Sequence, residues 1–158
     1  MRSSVRSGAS AVPHVVKSTI IDAPTDRVWE VLRDFNGHDR WHPAVATSAI
    51  ERSQSSDKIG CVRRFRLKDG SELREQLLAL SDLEQSFSYC LLDTPVQLFN
   101  YVAHVRLLPV TDGDRTFWHW ESRFTTRPEQ AEALTRMVAE DIYQAGFEAI
   151  RSHLKQAA

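Results

Sequence analysis

Residues 59–82 read IGCVRRFRLKDGSELREQLLALSD, two runs of alternating apolar and polar residues on either side of the step Lys68-Asp69-Gly70. An aspartate followed by a glycine between two such runs predicts a β-hairpin. A two-residue loop would place two arginines of the first strand among the apolar side chains of the second. A three-residue loop with a glycine bulge instead gathers the apolar side chains on one face: Phe65, Leu67, Leu73, Leu77 and Ala79. The three-residue loop gives the better burial pattern, so we expect it.

The expected register has an electrostatic consequence, because it places Arg63 directly opposite Glu75 on the buried face of the hairpin. A buried guanidinium and a buried carboxylate are costly unless they pair with each other or border a wet cavity. The same alternation turns Tyr89, Tyr101 and Trp120 of later strands to this face. With 42% hydrophobic residues, the chain does not lack apolar side chains for its interior. These polar and amphipathic groups therefore predict a hollow, ligand-holding interior.

Turn residues divide residues 44–125 into six strands joined by short connections, which predicts an antiparallel meander. The breaks fall near residues 53–57, 68–70, 81–84, 93–95 and 112–114. Strand alternation then predicts three further inward-facing sets: Phe87, Tyr89 and Leu91; Phe99, Tyr101, Ala103, Val105 and Leu107; Trp118, Trp120, Ser122 and Phe124.

Other elements are predicted on both sides of the meander. Residues 14–21 alternate as a strand, Pro24 begins a helix that ends at Asn36-Gly37, and residues 38–43 form a second short helix or turn. A long closing helix over residues 129–155 has two neighbouring apolar stripes: Leu134, Val138, Ile142, Ala145 and Ala149; Tyr143, Phe147, Ile150 and Leu154. The order β-α-α-β6-α predicts an α+β fold, in which a seven-stranded curved antiparallel sheet surrounds the long C-terminal helix. We expect a cavity between sheet and helix.

Composition bounds the function classes. The 158 residues make one ordinary domain over residues 14–155, after a serine-rich lead-in at residues 1–13 that we expect to be disordered. The net charge of −1, with no basic run, argues against nucleic-acid binding. No apolar stretch approaches the roughly 20 residues of a membrane span, and the lead-in lacks the apolar core of a signal peptide, so we expect a cytoplasmic location. Two cysteines are too few for a disulfide scaffold, and His38 and His42 lack a third zinc ligand at suitable spacing.

Three segments carry a family resemblance. Residues 59–82 and the run FSYCLLDTPVQLFNYVAHVRLLPVTDGDRTFWHWESRF at 87–124 resemble the polyketide cyclase/dehydrase branch of the START/Bet v 1-like (SRPBCC) superfamily. The run APTDRVWEVLRDFNGHDRWHP at 23–43 is similar to that family's first helix and tryptophan loop. The resemblance covers about residues 14–155 and implies a helix-grip fold with a hydrophobic ligand cavity.

A narrower resemblance concerns the pocket: Arg63, Glu75, Tyr89, Tyr101 and Trp120 are similar to the pocket residues of plant lachrymatory-factor synthases. It implies an arginine and a glutamate that anchor a small acid and move its proton. The hairpin between the two residues is shorter here, so we expect a different pocket shape.

The residues suggest specific roles. Arg63 is expected to hold an oxyanion, Glu75 to transfer or hold a proton, and Tyr89 to fix a ligand oxygen, which makes these three the candidate catalytic residues. Alternatively, Arg63 and Glu75 only neutralise each other, and the tyrosines are core aromatics. The candidate ligand-binding residues are Trp41, His42, Phe65, Tyr101, Trp118, Trp120, Leu134, Val138 and Ile142.

Three functions remain open at this point. The first is a carrier, sensor or chaperone of a small hydrophobic molecule, such as a lipid or polyketide, that has one polar or anionic group. The second is a cofactor-independent cyclase, dehydratase or isomerase in which Arg63 anchors an oxyanion and Glu75 shuttles a proton. The third is a protein-interaction module. We expect no cofactor and no metal, and either a monomer or a homodimer.

Overall fold

A computed structural model describes residues 10–157 and shows one curved, seven-stranded antiparallel sheet around a long C-terminal helix. The strands are β1 (His14–Ile21), β2 (Val45–Ile50), β3 (Val62–Leu67), β4 (Glu72–Ser81), β5 (Ser86–Asp93), β6 (Phe99–Val110) and β7 (Arg115–Thr125). Their order in the sheet is β1-β7-β6-β5-β4-β3-β2. Strands β2 to β7 therefore form the predicted meander, and β1 joins it beside β7. The α+β helix-grip prediction is confirmed.

The β3–β4 hairpin has the predicted register. Arg63 pairs with Glu75 and Phe65 pairs with Leu73. The backbone N–H of Leu67 donates to the carbonyl of Ser71 across the three-residue loop, at 2.9 Å. Gly70 adopts φ +91° in that loop, a conformation that costs glycine little. The loop chemistry thus sets which side chains of both strands face the interior.

Two predicted inward side chains lie on the surface instead, and both are next to a break in strand pairing. The pairing of β4 with β5 shifts between Leu77 and Ala79, so Ala79 is exposed and Leu80 packs against the core. Asn100 adopts φ +53° where the pairing of β6 with β7 shifts, and Phe99 beside it is 52% exposed. An extra residue in one strand reverses the alternation locally, so simple parity was wrong at these two positions.

The N-terminal helix and the turn after it pack against the sheet. Helix α1 spans Thr25–Leu32, directly after Pro24, and buries Val28 and Leu32. A short 3-10 turn, His38–Arg40, then leads into β2. Thr116 on β7 donates to the carbonyl of Ala23 at 2.7 Å, which fastens the start of α1 to the sheet.

The C-terminal helix contains a feature that the sequence pattern did not reveal. It runs as α2 (Pro128–Arg136), a π-helical segment (Met137–Gln144) and α3 (Ala145–Gln156). In the π-helical segment the wider turn brings side chains five apart onto one face. The buried residues of the helix consequently form one continuous stripe and not two: Val138, Tyr143, Gly146, Phe147, Ile150 and Leu154.

Part of the predicted lead-in contacts the sheet. The backbone of Ala11 pairs with Thr126 through two hydrogen bonds of 3.0 Å. The rest of the predicted disordered lead-in, apart from residues 10–13, lies outside the described residues. Over residues 10–157, no helix combines the length and apolar character that crossing a bilayer requires.

Gly146 allows the C-terminal helix to approach the tryptophans of β7. A Cβ at this position would lie 2.9 Å from the Trp120 ring, which stacks between Trp118 and Tyr143 with centroid distances of 5.4 and 4.2 Å. Replacing a helical glycine with alanine normally stabilises a protein by about 0.5–1 kcal/mol. We expect Gly146→Ala to destabilise instead, by about 1–3 kcal/mol, because the stacked ring cannot move aside freely. Urea denaturation measures the change.

The exposed position Ser152 in α3 provides the control, since Ser152→Ala changes helix propensity without touching the core. A higher unfolding midpoint for Gly146→Ala than for the unmodified protein would show that the close contact is not restrictive.

Candidate ligand-binding cavity

A cavity of about 380 Å³ lies between the concave face of the sheet and the C-terminal helix. This volume is within the range of small-molecule sites, about 300–1,000 Å³. Nine residues singled out from the sequence line it: Trp41, His42, Arg63, Phe65, Glu75, Tyr89, Trp118, Trp120 and Ile142. Three others do not. Tyr101 and Val138 are buried in the adjacent core, and Leu134 packs against that core.

Arg63 of β3 and Glu75 of β4 form a buried ion pair across neighbouring strands. Nη2 of Arg63 lies 3.1 Å from Oε2 of Glu75, and their side chains are only 9% and 10% exposed. Oε1 of Glu75 has no hydrogen-bond partner within the described part of the chain. The carboxyl group therefore keeps one oxygen for another partner.

Two of the three nitrogens of the Arg63 guanidinium donate to the protein itself, and Nε is buried without a hydrogen-bond partner in the described residues. Nη1 donates to the carbonyl of Phe35 at 2.7 Å, beyond the end of α1. Cζ lies 4.0 Å from the ring centroid of Phe35, 5.3 Å from that of Tyr89 and 5.6 Å from that of Phe65. Such cation–π contacts stabilise a buried guanidinium. Because both terminal nitrogens are already bound, Arg63 is better placed to hold Glu75 and the α1 end than to grip a ligand.

Burial raises the pKa of Glu75 above its ordinary value, although the charge and hydrogen bond of Arg63 act in the opposite direction. The sequence left this balance open. A carboxyl group with a raised pKa keeps its proton to higher pH and is a stronger base once ionised. Glu75 can therefore either donate a hydrogen bond or exchange a proton within this cavity.

Tyr89 supplies a second hydroxyl to the same lining. Its oxygen accepts a hydrogen bond of 3.2 Å from Nε1 of Trp120. Burial, with the nearby Tyr101 and Glu75, raises the pKa of Tyr89 well above its usual range, so its hydroxyl keeps its proton. That proton has no acceptor in residues 10–157, which leaves Tyr89 able to donate to a ligand oxygen.

Tyr101 has a structural partner away from the cavity. Its hydroxyl lies 2.6 Å from the hydroxyl of Tyr143 on the C-terminal helix. Burial raises the pKa of both phenols, so the pair is an uncharged hydrogen bond in the core. This bond joins β6 to the π-helical segment and accounts for the inward position of Tyr101 without a ligand.

His42 uses both ring nitrogens to hold the loop before β2. Nε2 lies 3.1 Å from the carbonyl of Ile142, and Nδ1 accepts a 3.2 Å bond from the backbone N–H of Ala44. Since a carbonyl only accepts, the proton is on Nε2. The imidazole contributes its ring face, and not a free nitrogen, to the cavity. Trp41 beside it packs edge-on against Trp118, with centroids 6.5 Å apart.

The cavity lining includes residues that sequence reasoning missed. Asp34, Leu98, Met137 and Asp141 come from loops and the C-terminal helix, where no strand parity marks them. His38 also lines the cavity, although from the sequence it was considered only as a poor zinc ligand. No group of three or more His, Cys, Asp or Glu side chains in residues 10–157 is arranged to hold a metal ion.

The comparisons with known proteins agree with this architecture. Residues 12–155 match the family described as polyketide cyclase/dehydrase and lipid transport. The chain belongs to this family. No curated protein is recognisably similar to it in sequence.

Solved structures extend the similarity. A Thermobifida fusca protein is 26% identical with a TM-score of 0.80, over 90% of this chain and 93% of its own. The ZhuI aromatase/cyclase from Streptomyces sp. R1128 is 20% identical with a TM-score of 0.77, over 92% and 95%. Norcoclaurine synthase from Thalictrum flavum is 12% identical with a TM-score of 0.74, over 94% and 90%. At 20% and 12% identity, the two enzymes show a shared fold alone. The similarity to lachrymatory-factor synthases stays a prediction.

The buried pair makes a prediction about stability. Arg63→Leu or Glu75→Leu alone should destabilise the protein by about 3–5 kcal/mol, because each leaves a buried charge without its partner. The double variant should recover more than half of that loss, since an apolar pair can replace a buried ion pair. Denaturant unfolding of all four proteins gives the coupling.

The exposed cross-strand pair Arg66–Glu72, bonded at 2.9 Å in the same hairpin, is the control. Its leucine variants should show little coupling. Additive losses for Arg63 and Glu75 would mean that the two groups do not depend on each other.

Proposed function

We propose that this protein binds a small, mostly hydrophobic molecule with one polar group in the cavity, as a carrier, sensor or chaperone. Membership of the family supports ligand binding or cyclase chemistry in general. The observation that carries the proposal is an apolar cavity in which Oε1 of Glu75 and the hydroxyl proton of Tyr89 have no partner in the described structure. A ligand oxygen would meet these two groups, and its apolar body would lie against Phe65 and Trp118.

The charges of the lining favour an uncharged ligand oxygen over a free carboxylate. Arg63 is the cation that would attract an anion, but its terminal nitrogens bind Phe35 and Glu75. Asp69 and Asp141 add negative charge to the lining, whereas the charge of Asp34 is paired with Arg40. We therefore refine the expected polar or anionic group to a neutral hydrogen-bonding oxygen.

Binding of a neutral probe tests this proposal. N-phenyl-1-naphthylamine should bind with enhanced fluorescence, and its sulfonated analogue 1-anilinonaphthalene-8-sulfonate should bind at least tenfold more weakly, since the sulfonate meets the acidic lining. Ala44→Phe adds a ring to a half-buried residue of the lining and should weaken the neutral probe at least tenfold, about 1.4 kcal/mol.

The matched control is Ala46→Phe, which adds the same ring at an exposed position two residues away. No binding of either probe, or equal effects of the two alanine variants, would count against a ligand in this cavity.

A second function, cofactor-independent cyclase, dehydratase or isomerase chemistry, is favoured by the raised pKa of Glu75 beside an apolar space. In such a reaction Glu75 would take a proton from carbon next to a carbonyl and return it elsewhere on the same molecule. Tyr89 would donate to the developing enolate oxygen. The third function, a protein-interaction module, and the expected monomer or homodimer stay predictions.

Proton exchange tests the enzymatic alternative without a known substrate. In D2O, the protein should accelerate loss of the α-protons of 2-tetralone, and Glu75→Gln should abolish the acceleration while the ketone still binds. The rate should rise with pH through the raised pKa of Glu75 and then level off, because only the ionised carboxylate accepts a proton. Proton NMR follows the exchange. Glu72→Gln, an exposed glutamate on the same strand, is the control. Equal acceleration by wild type and Glu75→Gln would remove Glu75 from the reaction.

A further inference from the structure

His38 is a buried polar residue of the cavity lining for which the proposed binding function supplies no partner. It lies on the 3-10 turn after α1 and is 7% exposed. Neither Nδ1 nor Nε2 of its ring has a hydrogen-bond partner within the described residues. Buried polar groups in native proteins are normally paired, so two such nitrogens on one side chain call for a physical cause.

His42 shows that the same loop can satisfy a buried imidazole. Four residues after His38, it bonds the carbonyl of Ile142 and the N–H of Ala44. Both histidines line the cavity. The fold therefore uses one imidazole to fasten the loop and leaves the other without a protein partner beside the cavity.

The surroundings of His38 place it with the polar centre of the site. Its ring meets Phe65 edge-on with a centroid distance of 4.7 Å, and Cζ of Arg63 lies 5.6 Å from the same Phe65 ring. Burial, followed by the charges of Arg63 and His42, lowers the pKa of His38 well below its ordinary value. The imidazole is consequently neutral at physiological pH, with one donor and one acceptor nitrogen.

We infer that His38 is a ligand-binding residue of this cavity and that its imidazole pairs with a hydroxyl group of the ligand. The inference rests on the proposed binding function and narrows its ligand to hydrophobic molecules that carry an alcohol or a phenol. A hydroxyl can donate to the bare nitrogen or accept from the protonated one, so it suits either tautomer. A carbonyl can only accept, so it could pair with the protonated nitrogen but never with the bare one. A cation would approach the charge of Arg63.

Two probes of the same shape test this inference. 2-Naphthol carries a hydroxyl group at the position where 2-methylnaphthalene carries a methyl group. Equilibrium dialysis should show that the wild-type protein binds 2-naphthol about tenfold more tightly. His38→Phe, which keeps an aromatic ring without nitrogens, should lose this preference and keep its affinity for 2-methylnaphthalene within twofold. His119→Phe, on the outer face of β7, should behave as wild type.

A spectroscopic readout separates a direct contact from a structural role. In 15N-labelled wild-type protein, 2-naphthol should shift the ring nitrogen resonances of His38, and 2-methylnaphthalene should leave them in place. The resonances are assigned by their absence from His38→Phe. If that variant does not fold, His38→Gln serves for the assignment, and its amide should retain part of the preference.

The outcomes distinguish this inference from the function on which it rests. If both probes bind, the His38 resonances stay in place and the variants keep the preference, the hydroxyl contact is wrong and the binding function stands. If neither probe binds, the binding function and the hydroxyl contact both fail. The inference is supported if 2-naphthol, but not 2-methylnaphthalene, shifts the His38 ring nitrogen resonances and if His38→Phe loses the preference for 2-naphthol.

Discussion

The pairing of Arg63 with Glu75 inside the sheet is the constraint around which the interior is organised. It requires the three-residue hairpin loop, since a shift of one residue would place Arg63 and Glu75 on opposite faces of the hairpin. It also connects the sheet to the end of α1, because Arg63 donates to the carbonyl of Phe35. A buried ion pair contributes little net stability compared with apolar residues of similar volume. Folding alone therefore does not account for this pair, and the proposed ligand-binding role of the cavity offers a reason for it.

The aromatic side chains explain why the space between sheet and helix is filled at one end and open at the other. Four aromatic side chains pack as a continuous layer: Trp118, Trp120, Tyr143 and Phe147. The ring centroids of Trp120 and Tyr143 are only 4.2 Å apart. Gly146 lets the helix approach this layer closely. The Tyr101–Tyr143 hydrogen bond closes the adjoining core. The cavity begins where this layer ends, along the lining formed by Arg63, Glu75 and Tyr89.

Much of the fold and part of the site could be predicted from the sequence, because alternation and turn residues are local signals. They gave the meander, the hairpin register and the Arg63–Glu75 pair. They failed at Ala79 and Phe99, where shifts in strand pairing reverse the alternation. They also split the buried stripe of the C-terminal helix in two, since the 3.6-residue period does not describe a π-helical segment.

The polar residues of the site were recognisable only where they broke a pattern. Arg63 and Glu75 stood out because strand parity turned charges inward. His38 lies on a 3-10 turn, which has no alternation to violate, so its burial and its unpaired nitrogens became visible only in three dimensions. The same reason hid Asp34, which belongs to the loop after α1.

Burial moves the titratable groups of the lining toward their uncharged forms. It raises the pKa values of Glu75 and Tyr89, which then keep their protons to higher pH, and it lowers that of His38, which then stays neutral to lower pH. Arg63 remains charged, yet its charge is directed to Glu75 and to the surrounding aromatic rings. The buried part of the lining thus offers hydrogen-bond donors and acceptors with little free charge, whereas the carboxylates of Asp69 and Asp141 belong to exposed residues of the lining. These buried groups favour recognition of a ligand through hydrogen bonds to the ligand's oxygens. Attraction between opposite charges contributes little to that recognition.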